Sequence, residues 1–174
     1  MFALSDKKVL VTGASGGIGG AIARAMHAQG ATVALAGRKR EVLDALAADL
    51  GDRCHVIVGD LGDTASADAM LSAASDAMDG IDVLVNNAGL TRDNLAMRLK
   101  DEDWQDVIDV NLTATFRLSR AVLRGMMKAR WGRIINVTSI VGVTGNAGQA
   151  NYAASKAGIV GMSKAMAAEV ATRG

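Results

Sequence analysis

Short runs of β-branched and apolar residues alternate along this chain with longer stretches in which apolar positions recur every three or four residues. Val9 to Val11 reads as a first strand, ended by Thr12-Gly13. Ile18, Ala21, Ile22, Ala25 and Met26 then keep the rhythm of an amphipathic helix, which Gly30 stops. Thr32 to Ala36 is the second strand, and Val42, Leu43, Leu46, Ala47 and Leu50 mark a second helix closed by Gly51. His55 to Val58 follows as strand three, Thr64 to Met78 as an Ala-rich helix, and Ile81 to Val85 as a continuous apolar strand. Asp101 to Lys128 predicts one long helix with the stripe Trp104, Val107, Ile108, Leu112, Phe116. A fifth strand spans Arg133 to Val137, and a last helix covers about Asn151 to Thr172. Strands that alternate with helices, without hairpin signals, internal repeats or a linker, predict one doubly wound α/β domain over residues 1–174 with a parallel sheet covered on both faces.

Composition narrows the class. A chain of 174 residues suits one domain better than two. Its apolar residues are broken up by charges, and no run approaches the roughly 20 needed to span a bilayer. Met1 to Lys8 lacks the charged start and apolar run of a secretory leader, so the expectation is a soluble cytoplasmic protein. A net charge of +1 gives no general attraction to nucleic acid or membrane. Lone Cys54 cannot form an internal disulfide, and no Cys/His cluster has metal-ligand spacing, so no metal is expected.

The turn after strand one reads Thr12-Gly13-Ala14-Ser15-Gly16-Gly17-Ile18-Gly19. Glycines permit the sharp turn into the helix and let a pyrophosphate reach backbone N–H groups at the helix's positive end. Leaving a strand and opening a helix is the setting this fingerprint requires. Gly13, Ser15, Gly17, Ile18 and Gly19 are therefore candidate cofactor contacts. A carboxylate at the end of strand two would bind an adenosine ribose 2′-hydroxyl; this chain has Gly37-Arg38-Lys39-Arg40 instead. A guanidinium suits a 2′-phosphate, so Arg38 predicts NADP(H) over NAD(H). Asp60-Leu61 after strand three and Asn87-Ala88-Gly89 after strand four fall at carboxyl ends of strands, where open α/β sheets bind ligands.

Strand five ends in Asn136-Val137-Thr138-Ser139, which puts Ser139 on the same side. Tyr152 and Lys156, four residues apart, share a helix face. A tyrosine hydroxyl ordinarily ionises near pH ~10, so it works as an acid or base at neutrality only with a cation nearby, which Lys156 supplies. A serine hydrolase is disfavoured: His27 and His55 lie in the first helix and third strand, and Ser139 has no Gly-x-Ser-x-Gly elbow. Asn111 interrupts the stripe of the long helix. It is either a core amide bonded to neighbouring backbone or a link, through water, to Lys156.

Thr12-Gly-x-x-x-Gly17-x-Gly19, Asn86-Asn-Ala-Gly89, Asn111, Ser139 and Tyr152-x-x-x-Lys156 together resemble the short-chain dehydrogenases/reductases. Gly89 to Leu95 and Gly142 to Tyr152 are more narrowly similar to the 3-oxoacyl-[acyl-carrier-protein] reductases of type II fatty acid synthesis. The resemblance implies a Rossmann-type sheet in the order 3-2-1-4-5 over this stretch and NADPH-dependent reduction of a 3-oxoacyl thioester to the 3-hydroxyacyl thioester. Another reductase of the family, acting on acetoacetyl-coenzyme A or on a sugar or hydroxyacid, is the alternative; an inactive nucleotide-binding fragment is a second. It further implies that Ser139 and Tyr152 polarise the ketone oxygen, that Tyr152 donates the proton, that Lys156 supports it and holds the nicotinamide ribose, and that Asn111 completes the relay. Tyr152 and Lys156 thereby join the cofactor contacts.

Two departures accompany the resemblance. Gly16 stands where the family often has a basic residue, which leaves Arg38 more of the phosphate recognition. The family also continues past the point matching Gly174 with two more strands, a Pro-Gly segment and a substrate lid. Absence of proline, against a usual ~5%, agrees with that stretch lying outside residues 1–174. Those residues alone are expected to have little reductase activity and to leave strand five as an aggregation-prone edge. For partners, the resemblance implies that Arg130 and Arg173 dock the acidic carrier protein and that the long and last helices form tetramer contacts.

Overall fold

In a computed structural model, which describes residues 3–174, five strands form one all-parallel sheet. Met1 and Phe2, part of the segment read as lacking a secretory leader, lie outside the described residues. The strands are β1 (Lys8–Thr12), β2 (Thr32–Gly37), β3 (Cys54–Val58), β4 (Val83–Asn86) and β5 (Arg133–Asn136), in the order β3-β2-β1-β4-β5. Central β1 pairs Val9 with Val33 on one side and with Val83 on the other. Val9, Leu10 and Val11 are completely buried, as a strand covered on both faces requires.

The intervening helices are α1 (Gly17–Ala28), α2 (Arg40–Leu50), α3 (Thr64–Met78), α4 (Asp101–Ile108), α5 (Ala114–Ala129), α6 (Val141–Thr144) and α7 (Ala150–Val170). On one face Ala23 of α1 and Leu43 and Leu46 of α2 pack on Val9, Val11, Val33 and Leu35. On the other, Met70, Ala74 and Met78 of α3 and Leu118, Val122 and Met126 of α5 pack on Leu10, Ala34 and Leu84. Alternate strand residues thus feed two separate cores, because successive side chains of a strand point to opposite faces. Among the described residues no helix is long and apolar enough to cross a membrane.

Several expectations need correction. β4 starts at Val83 rather than Ile81. The stretch 101–129 is not one uniform α-helix, since a π-helical turn at Asp109–Thr113 separates α4 from α5. Trp104 and Phe116 are 40% and 39% exposed instead of core, and the Arg120 guanidinium lies 5.0 Å over the Phe116 ring. Phe116 lies nine residues after Val107, roughly half a turn round a regular helix, and so falls off the stripe that Val107 begins, while Leu118 and Val122 take the buried face. α6 falls in a stretch to which the periodicity assigns no element, and α7 ends at Val170 in a short 3₁₀ turn rather than at Thr172. Among the described residues β5 pairs with β4 alone and forms an edge of the sheet, with Ile135 41% exposed.

Candidate active site

Four strand ends open onto one cavity of about 360 Å³. Every residue expected on the nucleotide side lines it: Gly13, Ser15, Gly17, Ile18, Gly19, Arg38, Asp60, Leu61, Asn87, Ala88 and Gly89. The loop between β1 and α1 has to be glycine for two different reasons. Gly13 has φ +67°, and a Cβ there would lie 2.9 Å from Ala88 Cα; a Cβ at Gly19 would overlap the Gly13 carbonyl oxygen. Those two are imposed by the protein's own packing. Gly17, the first residue of α1, has an ordinary φ, and a Cβ there would meet no atom within 4 Å. Nothing in the protein demands glycine at that point, so what suits it is a group brought against the helix N-terminus, as a pyrophosphate would be. On this observation the cavity fits a dinucleotide.

The buried Thr12 hydroxyl, which sequence reading passed over as turn material, fixes the opposite wall. It donates to Val85 O at 3.2 Å and accepts from the backbone N–H of Asn87 (3.0 Å) and Ala88 (3.1 Å). Asn87 Nδ2 returns a bond to Thr12 O at 3.0 Å. The β4 loop is thereby held against the glycine turn by side-chain bonds that replace the ladder where the strands part. At the far end of the cavity Arg38 Nη1 lies 3.8 Å from Asp60 Oδ2, an exposed ion pair of at most about 1 kcal/mol.

None of Ser139, Tyr152, Lys156 and Asn111 lines this cavity, but Asn111 and Lys156 stand against its Gly89 wall. A Cβ placed on Gly89 would be 3.2 Å from Asn111 Oδ1 and 3.7 Å from Lys156 Nζ, so the two meet behind the end of the cofactor loop. Ser139 Oγ accepts from the Val141 N–H at 3.2 Å, at the start of α6, which leaves the hydroxyl proton free to donate elsewhere. Lys156 is buried; its Nζ donates to Val137 O at 2.8 Å and lies 5.6 Å from the Tyr152 ring centroid. Burial pushes the Lys156 ammonium below its ordinary range, since desolvation disfavours the charged form. Tyr152 is half-buried.

Asn111, completely buried, sits in the π turn. Its Oδ1 accepts from Leu90 N (2.8 Å), and its Nδ2 donates to Leu90 O (3.0 Å) and Ser155 Oγ (3.1 Å). The amide's bonds thus go to neighbouring backbone and to Ser155. Arg130 caps α5 in a left-handed conformation at φ 53°, exposed, and Arg173 lies in the last 3₁₀ turn. Arg173 borders an apolar groove with Met126, Gly132, Ile134 and Val170, and Gly174 packs on the Arg130 carbonyl, so both arginines sit at the amino end of β5, away from the cavity at the strands' carboxyl ends.

Fold and cavity together define a Rossmann-type nucleotide-binding protein. The chain belongs to the short chain dehydrogenase family, whose model matches residues 7–174. Nodulation protein G of Rhizobium sp. (strain N33) is 56% identical over 173 residues, covering 99% of this chain and 71% of that protein. The 3-oxoacyl-[acyl-carrier-protein] reductase FabG of Vibrio cholerae serotype O1 is 54% identical, covering 98% of this chain and 70% of its own length. Its counterpart from Rickettsia bellii is 52% identical across 100% of the chain and 70% of that protein. Family membership makes this an oxidoreductase that binds a nicotinamide cofactor.

Proposed function

We propose that this protein reduces 3-oxoacyl thioesters on acyl carrier protein to the 3-hydroxyacyl thioesters with NADPH. The observation that carries the reading is that buried Lys156 has its Nζ 5.6 Å from the Tyr152 ring centroid and against Gly89, a residue lining the same cavity as Arg38. Relatives named as 3-oxoacyl-[acyl-carrier-protein] reductases support the substrate class. Relatives named Nodulation protein G bear no reaction in their name, so the test spans several substrates.

When bound, the reduced nicotinamide supplies a hydride for the carbonyl carbon. The Ser139 hydroxyl, its oxygen already engaged by the Val141 N–H, donates to the ketone oxygen and holds it toward Tyr152. Tyr152 gives its proton to that oxygen as negative charge develops there. Lys156 faces the charge left on the phenol and extends to the nicotinamide ribose. Asn111 fixes the Leu90 backbone beside them and stands where a relay to solvent would start. Arg130 and Arg173 supply cations for an acidic carrier, and α5 and α7 the faces for a tetramer.

In the complete gene product, NADPH oxidation is expected to be fastest with a carrier-linked 3-oxoacyl substrate, slower with the coenzyme A thioester and absent with sugars or hydroxyacids. Equal rates on carrier and coenzyme A substrates would remove the carrier from this reading. In the same assay Arg38→Ala should weaken NADPH by roughly tenfold to a hundredfold, the loss of a charge-assisted contact of about 1.5–3 kcal/mol, and leave NADH unchanged. A parallel loss for both cofactors would show that Arg38 does not read the 2′-phosphate.

Lys156 gives a pH dependence of definite sign. Because its folded value is lowered, it loses its proton at a lower pH than an ordinary lysine, and NADPH affinity should fall with rising pH before the usual lysine range is reached. Stability moves the other way: the cost of burying the charge is present below the folded value and is relieved as pH rises through it. Lys156→Arg, charged throughout, should shift the fall in NADPH affinity to higher pH. An unmoved profile would mean that another group causes it.

A further inference from the structure

Sequence reading treats Asn151 and Ser155 as ordinary helix residues, yet both are completely buried at the first turns of α7. Asn151 Nδ2 donates to Arg92 O at 3.0 Å and to Asp103 O at 3.3 Å, while its Oδ1 accepts from the Tyr152 N–H at 2.8 Å. The amide can be placed only this way round, because two of its partners are carbonyls and the third is an N–H. Ser155 Oγ donates to Tyr152 O at 2.8 Å and accepts from Asn111 Nδ2 at 3.1 Å. The Tyr152 peptide groups are therefore gripped on both sides, at N by Asn151 and at O by Ser155.

Both grips lead to the same short segment. Asn111 binds Leu90 through N and O, and Asn151 binds Arg92 O. Arg92 is in turn steadied by α4, its guanidinium lying 3.9 Å from Asp103 and 3.7 Å from Asp106. Leu90 follows Gly89, and both line the nucleotide cavity. Leu90 to Arg92 thus joins the cofactor wall to the start of α7 through two buried amides and one hydroxyl. Such a network is rigid when fully satisfied, and its loss leaves buried polar groups that must rearrange.

We infer that Asn151 and Ser155 are positioning residues: they lock the Tyr152 phenol in register with the wall of the cofactor cavity through the Leu90–Arg92 segment. The inference rests on the reading of Tyr152 as proton donor, although its physical content, where the ring sits, can be observed without turnover. Tyr152 is the only tyrosine in the chain, so carbon-13 tyrosine gives a ring signal from this site alone.

The test compares wild type, Asn151→Ala, Ser155→Ala and Ser155→Thr in the complete gene product. NADPH affinity, the Tyr152 ring signal with and without NADPH, and kcat and KM are measured. Asn151→Ala is expected to bind NADPH nearly as wild type, to broaden and shift the ring signal, and to lose kcat by about a hundredfold with KM little changed, the scale of a misplacement near 1 Å. Ser155→Ala should do the same more mildly, and Ser155→Thr, which keeps the hydroxyl, should restore both signal and kcat. A wild-type ring signal in Asn151→Ala, or equal behaviour of the two Ser155 variants, overturns the inference. If Asn151→Ala does not fold, the Ser155 pair decides. Should wild type reduce no ketone at all, the proposed function fails, and the ring signals still decide the positioning.

Discussion

Tyr152→Phe is expected to cut ketone reduction by about 10²–10⁴-fold, the usual worth of a positioned acid, while NADPH binds as before. The substitution removes one hydroxyl from a half-buried ring and leaves the backbone grip of Asn151 and Ser155 untouched, so the fold has no reason to change. Lys156 would remain bonded to Val137 O, still able to meet a ribose. The two effects therefore separate: chemistry is lost and affinity is kept. Steady-state NADPH oxidation together with a binding titration on the complete gene product checks this. Turnover of Tyr152→Phe at the wild-type rate would assign the proton to another donor, with Ser139 the first candidate.

The nucleotide side was legible because its signals are local. A glycine turn, a basic residue or a carboxylate at the end of a strand says what it does from its own neighbours, and all of these line the cavity. The parallel sheet followed from strands alternating with helices, whereas its order came from the family resemblance, since periodicity does not say that β4 lands beside β1 and not beside β3. Tyr152 and Lys156 were visible by spacing for the same reason. What stayed hidden depends on contacts distant in sequence. Nothing marks Asp109–Thr113 as a π turn, because one extra residue in a helix leaves no distinctive residue type.

Asn151 and Ser155 were unreadable for a related reason. α7 is rich in Ala and Gly, so its apolar positions define no stripe, and a polar residue on it carries no sign of facing inward. Their burial comes from partners distant in sequence: Arg92 and Asp103 at Asn151, and Asn111 at Ser155. Thr12 is similar: a strand-end threonine is ordinary until the loop of β4 arrives to take both halves of its hydroxyl's bonding capacity. Residues that line the cavity were thus legible from sequence, and residues that hold its walls in place were not.

Gly17 and Gly19, on the same turn of α1, should fail in opposite ways when given one methyl group. At Gly19 a Cβ would overlap the Gly13 carbonyl oxygen and press on Asn87 Nδ2, both parts of the fold that cannot step aside cheaply. Gly19→Ala is expected to cost about 1–3 kcal/mol or more, lowering Tm by roughly 2–12 °C for a chain of this size. At Gly17 the same methyl meets no protein atom, and alanine favours the helix it opens, so Gly17→Ala should melt no lower than wild type. It should nevertheless bind NADPH roughly tenfold to a hundredfold more weakly, because a phosphate kept from the helix N-terminus forfeits a charge-assisted bond of about 1.5–3 kcal/mol. Thermal melts and NADPH titrations of the two variants read these apart. Full affinity in Gly17→Ala would place the pyrophosphate away from the first turn of α1, and with it the whole orientation of the cofactor assumed for Tyr152 and Lys156.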